Sequence, residues 1–108
     1  RIVYITVAGL SNALSGFVDF KSRHPVISCP PDSGDSWKVD IYSSLRMPRG
    51  VAPLTVCDSE NAALAAVKIL GESDSTLAGK VRDYQKAMQT KNENADEKLR
   101  RTEVRRAP

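Results

Sequence analysis

The sequence predicts an α/β domain, a doubly wound parallel sheet in three αβα layers. Three observations carry this. Short β-branched runs end in Gly, Pro or Cys at Arg1–Gly9, Pro25–Ser28 and Leu54–Cys57. Segments of helical periodicity follow each of them, and strict alternation of the two types calls for right-handed crossovers between parallel strands.

At 108 residues the chain supplies one domain at most. Its 41% hydrophobic and 27% charged residues mark a globular composition, too apolar for a disordered chain. No apolar run is long enough to span a bilayer, so a soluble chain is expected, and with no secretory segment of the usual kind its expected location is cytoplasmic. The chain opens on Arg1 directly into an apolar run, which reads as a chain cut inside a domain, and a domain this small is expected to need partner surfaces.

Arg1–Gly9 (RIVYITVAG) has the near-continuous apolar pattern of a strand covered on both faces. Ser11 is the expected cap of a helix over Asn12–Phe20, with Ala13, Leu14, Phe17 and Val18 as its core side. Pro25–Ser28 is a second strand, closed by Cys29-Pro30-Pro31 because proline removes ladder donors. A polar loop runs to Lys38. Asp40 is expected to cap a helix through Ile41, Leu45 and Met47 that breaks at Pro48-Arg49-Gly50.

Leu54–Cys57 is the third strand, and Asp58 or Ser59 caps a helix with Ala63, Leu64, Val67 and Leu70 as its apolar stripe, ended by Gly71. A last helix starts near Ser73 or Asp74. Its stripe is Leu77, Val81, Tyr84 and Met88, and it continues past Asn92 as a long, increasingly charged C-terminal helix that frays at its end. The expected division is a domain portion over 1–92 and a charged helical extension or tail over 93–108.

Charge offers little. Residues 1–70 hold seven basic and six acidic side chains, and residues 71–108 nine and seven. Lys98, Arg100, Arg101, Arg105 and Arg106 form a basic cluster with no aromatic side chain for base stacking, so a solvated tail is expected rather than a nucleic-acid site. Cys29 and Cys57 are expected to be free, buried thiols. One histidine and two separated cysteines do not make a compact tetrahedral metal site.

Ligands of such folds sit beyond the C-terminal strand ends, which directs attention to Ala8–Asn12, Ser28–Pro31 and Cys57-Asp58. In Ala8-Gly9-Leu10-Ser11-Asn12, small residues admit a ligand to the backbone, and the following helix N-terminus offers free N–H groups to a carboxylate, phosphate or carbon dioxide. The same segment could also be an ordinary strand-to-helix turn. Cys29 lacks a base, because an extended chain from Pro25 to Ser28 carries it away from His24, so a structural thiol is preferred. Arg46 and Arg49 suit phosphate and, equally, solvation or subunit contacts.

AGLSNALSGFVD, PVISCPP and DIYSSLRMPRG, in this order and spacing, resemble class II aminoimidazole ribonucleotide carboxylase over about residues 2–90. The resemblance implies a flavodoxin-like fold in its C-terminal part, and transfer of carbon dioxide to C4 of the aminoimidazole nucleotide in purine (IMP) biosynthesis. It implies no biotin, ATP or metal. It implies a homo-octamer with shared sites, and a chain either fused to a succinocarboxamide synthetase or standing alone.

By the resemblance Ser11 contacts carbon dioxide and Asn12 assists it as the second catalytic residue. Ala8, Gly9, Cys29 and Pro30 complete the substrate-binding set. The family turn usually has Arg where this chain has Leu10. The ring-proton His-Lys pair and the phosphate loop of the family lie upstream, so the chain alone is expected to be inactive. The competing reading is a non-catalytic nucleotide- or partner-binding α/β module in which AGLSN is only a turn.

Overall fold

The computed structural model describes residues 1–32, 34 and 37–106, with side chains through Glu103. Its elements alternate as expected: β1 (Tyr4–Thr6), α1 (Ala13–Lys21), β2 (Val26–Ser28), α2 (Trp37–Leu45), β3 (Leu54–Thr55), α3 (Ser59–Gly71) and α4 (Ser75–Arg106). The strands pair in parallel in the order β1-β2-β3, with Tyr4 opposite Val26, Thr6 opposite Ser28, and Ser28 opposite Thr55.

Each strand is shorter than its apolar run, because the ladder covers only the residues that face a paired neighbour. Central β2 is wholly buried, as a strand with neighbours on both sides must be. β1 is paired on one side only among the described residues. Tyr4 and Ile5 remain 40% and 42% exposed, so the expected double cover does not hold for it.

The two sheet faces differ in chemistry. On one, α3 lays Ala62 and Ala66 on Ile27 and Cys29, with Val3, Val56, Ala65 and Ile69 partly buried around them. Alanine lets the helix backbone approach the sheet closely. The expected stripe of Ala63, Leu64 and Val67 faces α4 instead and lines a cleft of about 470 Å³ with Val81 and Tyr84.

On the other face α1 reverses its expected orientation. Ser15 is fully buried, while Leu14 and Phe17 are 47% and 64% exposed. The cause lies in Asn12, whose side-chain oxygen accepts from the Ser15 amide and turns that edge of the helix to the sheet. Periodicity gives a stripe but not the side it faces. Gly16 belongs to the same inward edge, since a Cβ there would lie 3.5 Å from the Met47 sulfur.

The caps also shift. Asn12, not Ser11, caps α1. α2 starts at Trp37, three residues before Asp40, which sits in the first turn where its charge complements the helix dipole. α2 stops at Leu45, short of Met47, because the residue before Pro48 disfavours helical backbone. Asp58 caps α3 by accepting from the Asn61 amide at 3.0 Å.

Asp74 accepts from the amides of Thr76 and Leu77 at the start of α4. α4 is the long final helix expected and runs to Arg106, helped by Asp96–Arg100 and Glu97–Arg101 pairs one turn apart. No helix among the described residues is long and apolar enough to cross a membrane.

Candidate active site

At the C-terminal end of the sheet, β1 leaves its ladder after Thr6 and passes through Val7-Ala8-Gly9 into a tight turn. The Asn12 amide donates to the Gly9 carbonyl at 3.2 Å. Leu10 and Asn12 both have left-handed backbone, at φ 56° and 44°. Asparagine visits that region readily, whereas for leucine it costs about 1–2 kcal/mol. A turn that holds two such residues is over-determined by its surroundings.

β2 ends beside it. The Cys29 amide donates to the Thr6 carbonyl at 2.8 Å. A Cβ on Gly9 would lie 3.8 Å from Pro31 Cγ, so a side chain at position 9 would fill the space between the turn and the proline pair. The structure thus brings together Ala8, Gly9, Ser11, Asn12, Cys29 and Pro30. They differ in exposure: Ser11 is open to solvent, Ala8 and Gly9 are half-buried, and Asn12, Cys29 and Pro30 are buried.

Beneath the turn lies a polar layer that sequence reasoning missed. Thr6, Asn12, Ser15, Ser28 and Ser44 are all buried. Asn12 Nδ2 donates to Ser28 Oγ at 2.7 Å and to Ser44 Oγ at 2.6 Å, while Ser15 Oγ donates to Asn12 Oδ1 at 2.7 Å. The Thr6 and Ser15 hydroxyls are 2.7 Å apart. The available signal was Ser28, a hydroxyl closing an apolar strand at a position whose neighbours are all buried. Buried hydroxyls need partners, and partners imply a network.

α2 adds a second tie to the turn, the Ser43 hydroxyl lying 3.0 Å from the Leu10 carbonyl oxygen. Arg46 and Arg49 are exposed, one just past the end of α2 and the other in the turn that follows.

Cys29 is buried with its thiol 3.5 Å from the Cys57 carbonyl oxygen. Burial pushes its pKa up, with Cys57 and Asp58 adding to the effect, the opposite of what a nucleophilic thiolate requires. His24 precedes β2 and stacks loosely on Tyr4, at the other end of the strand from Cys29. Both cysteines are free, but Cys57 is exposed rather than buried, since it lies past β3 where the core ends. No group of three or more His, Cys, Asp or Glu side chains among the described residues is arranged to hold a metal ion.

Comparison with known proteins gives this geometry a family. Residues 1–91 match the AIR carboxylase family model. The chain is 50% identical over 99 residues to a phosphoribosylaminoimidazole carboxylase of Archaeoglobus fulgidus, covering 92% of this chain and 55% of that protein. It is 40% identical over 80 residues to the human bifunctional phosphoribosylaminoimidazole carboxylase/phosphoribosylaminoimidazole succinocarboxamide synthetase, covering 74% of this chain and 19% of that one.

The crystal structure of Treponema denticola PurE superposes with a TM-score of 0.84 at 46% identity, over 90% of this chain and 61% of that one. The chain therefore spans somewhat more than half the length of its single-function relatives. The parallel sheet, its flanking helices and the long final helix are those of the PurE fold. The chain belongs to the AIR carboxylase family.

Proposed function

We propose that this protein carboxylates 5-aminoimidazole ribonucleotide with carbon dioxide, giving 4-carboxy-5-aminoimidazole ribonucleotide in purine biosynthesis. The observation that carries the reading is the exposed Ser11 in the Ala8–Asn12 turn at the mouth of α1, in a chain half identical to a phosphoribosylaminoimidazole carboxylase. The C4 carbon of the enamine-like ring attacks carbon dioxide, a carbon–carbon bond forms, and negative charge moves onto the carbon dioxide oxygens. Preorganised donors lower that barrier most where they meet the charge as it develops.

In this reading the Ser11 hydroxyl and the free amides opening α1 are those donors. Gly9 keeps the approach open, and Ala8, Cys29 and Pro30 form the wall. Cys29 contributes shape, not nucleophilicity. The C4 proton then leaves to a base. The single histidine, His24, stands at the far end of β2 and does not serve, so the base belongs to the upstream His-Lys pair of the family. No step in this scheme uses biotin, ATP or metal.

The same reading has residues 1–92 as the carboxylase portion, with 93–108 as its helical extension. It has the protein acting as a homo-oligomer, an octamer by family analogy, in the cytoplasm. In support of the division, Asn92 is the last α4 residue lining the groove that α4 forms with Asn61 and Leu64 of α3.

The test is carbon dioxide-dependent ultraviolet change with the nucleotide, using full-length protein and its Ser11→Ala variant. The variant keeps the amides and loses the hydroxyl. It should turn over about a hundredfold more slowly, at the lower end of the loss seen on removing one such donor, with nucleotide binding unchanged. Unaltered turnover, or an effect confined to nucleotide binding, removes Ser11 from the role. Nucleotide binding without any carboxylation favours the non-catalytic module.

A further inference from the structure

We propose that Ser28 and Ser44 are positioning residues for the carbon dioxide site, acting through the Asn12 carboxamide to hold the Ala8–Asn12 turn in place. The proposal rests on the reading of Ser11 given above. A carboxamide has two donor hydrogens and two acceptor sites. Here both hydrogens are directed inward, one to Ser28 on β2 and one to Ser44 on α2, and the oxygen receives the Ser15 hydroxyl and amide. Asn12 is 3% exposed and has no polar capacity left for a ligand. Its contribution to the site is therefore made through the position of its neighbour Ser11.

Capping alone does not account for the arrangement. A helix cap needs only the side-chain oxygen, which accepts from the Ser15 amide. The bonds from Nδ2 do something further: they tie the turn at the end of β1 to a second strand and to a second helix. Three separate elements thus fix one left-handed residue, and that residue sets the direction in which Ser11 and the first amides of α1 face. Ser28 is fully buried and Ser44 3% exposed, so neither can itself reach a substrate. Thr6 steadies the far side through Ser15.

The experiment uses full-length enzyme carrying Ser28→Ala, Ser44→Ala or Ser44→Thr, with Ser11→Ala alongside. Both alanine variants leave the cap bond in place. Carbon dioxide is varied at saturating nucleotide, then nucleotide at saturating carbon dioxide. Each alanine variant should lose about ten- to a hundredfold in kcat/KM for carbon dioxide, the scale of a small misplacement of reacting groups, with the nucleotide KM within about twofold. Ser44→Thr, which restores the hydroxyl, should recover most of the loss.

Unchanged carbon dioxide dependence in both alanine variants overturns the proposal. So does a loss that falls equally on both substrates and follows the folded fraction measured by circular dichroism. If Ser28→Ala does not fold, Ser44→Ala at the edge of the network decides by the same criteria. If Ser11→Ala is silent while the Ser28 and Ser44 variants lose carbon dioxide affinity, the reading of Ser11 fails and the positioning of the turn stands. If only Ser11→Ala responds, the positioning proposal fails alone.

Discussion

The Cys29 thiol is buried where β2 meets the site, and burial, reinforced by Cys57 and Asp58, raises its pKa. Below the unfolded value of about 8.5 both states keep the proton, and the thiol adds no pH dependence. Above it the unfolded chain ionises first, so the folded state binds more protons and stability falls as pH rises towards the folded pKa. Guanidinium midpoints measured between neutral and alkaline pH should decline, and Cys29→Ala should decline less. A matching decline would assign the effect to other groups. At this scale the strand-to-helix turn with its Ser-Asn pair was legible, yet the capping residue is Asn12 rather than Ser11, because only its side chain reaches Ser15, Ser28 and Ser44 at once.

Elements were legible wherever periodicity and breakers agreed. The Asp58 side chain caps α3, which ends at Gly71 with Glu72 as its C-cap, and Pro48 follows the end of α2. Orientation was not legible where a helix carries two usable faces. α1 has apolar residues outward and Ser15 inward, a choice made by a hydrogen-bond network that joins distant parts of the chain. α3 makes the opposite point, since its smallest residues mark the packed face. Leucine at Ala66 should overpack that face against Ile27 and Cys29 and cost about 1–3 kcal/mol. Ala63→Leu, at the open cleft beside α4, should cost little. Equal denaturation midpoints for the two variants would mean that α3 is not seated as described.

For the whole molecule, the small core matters most. α1 exposes Leu14, Phe17 and Phe20 and α2 exposes Val39, Tyr42 and Leu45, each set at successive intervals of three on one helix. Such a display exceeds the scattered apolar residues normal on a monomer surface. Sedimentation of the protein should show self-association, and Phe17→Lys should weaken it without lowering the unfolding midpoint. A monodisperse monomer, or a variant that associates equally well, would leave that face without a role in assembly. The need for partner surfaces was legible in the length of the chain, but not which face they cover, because in composition an apolar residue counts the same whether it faces a sheet or solvent.

α4 has 32 residues, roughly 48 Å of helix at about 1.5 Å per residue, in a molecule 60 Å in its longest dimension. From Lys91 to Glu103 every side chain is exposed, and isolated helices of that length are marginal in water. What remains to stabilise it is local charge, through pairs such as Asp96–Arg100, and exposed pairs of this kind contribute only about 0.3–0.5 kcal/mol each. Dissolved salt screens them. The reach of the molecule is therefore a property of its medium as well as of its sequence: added electrolyte should shorten the helical arm from the tip inward, read as a loss of helical circular dichroism, while the sheet behind it is unaffected.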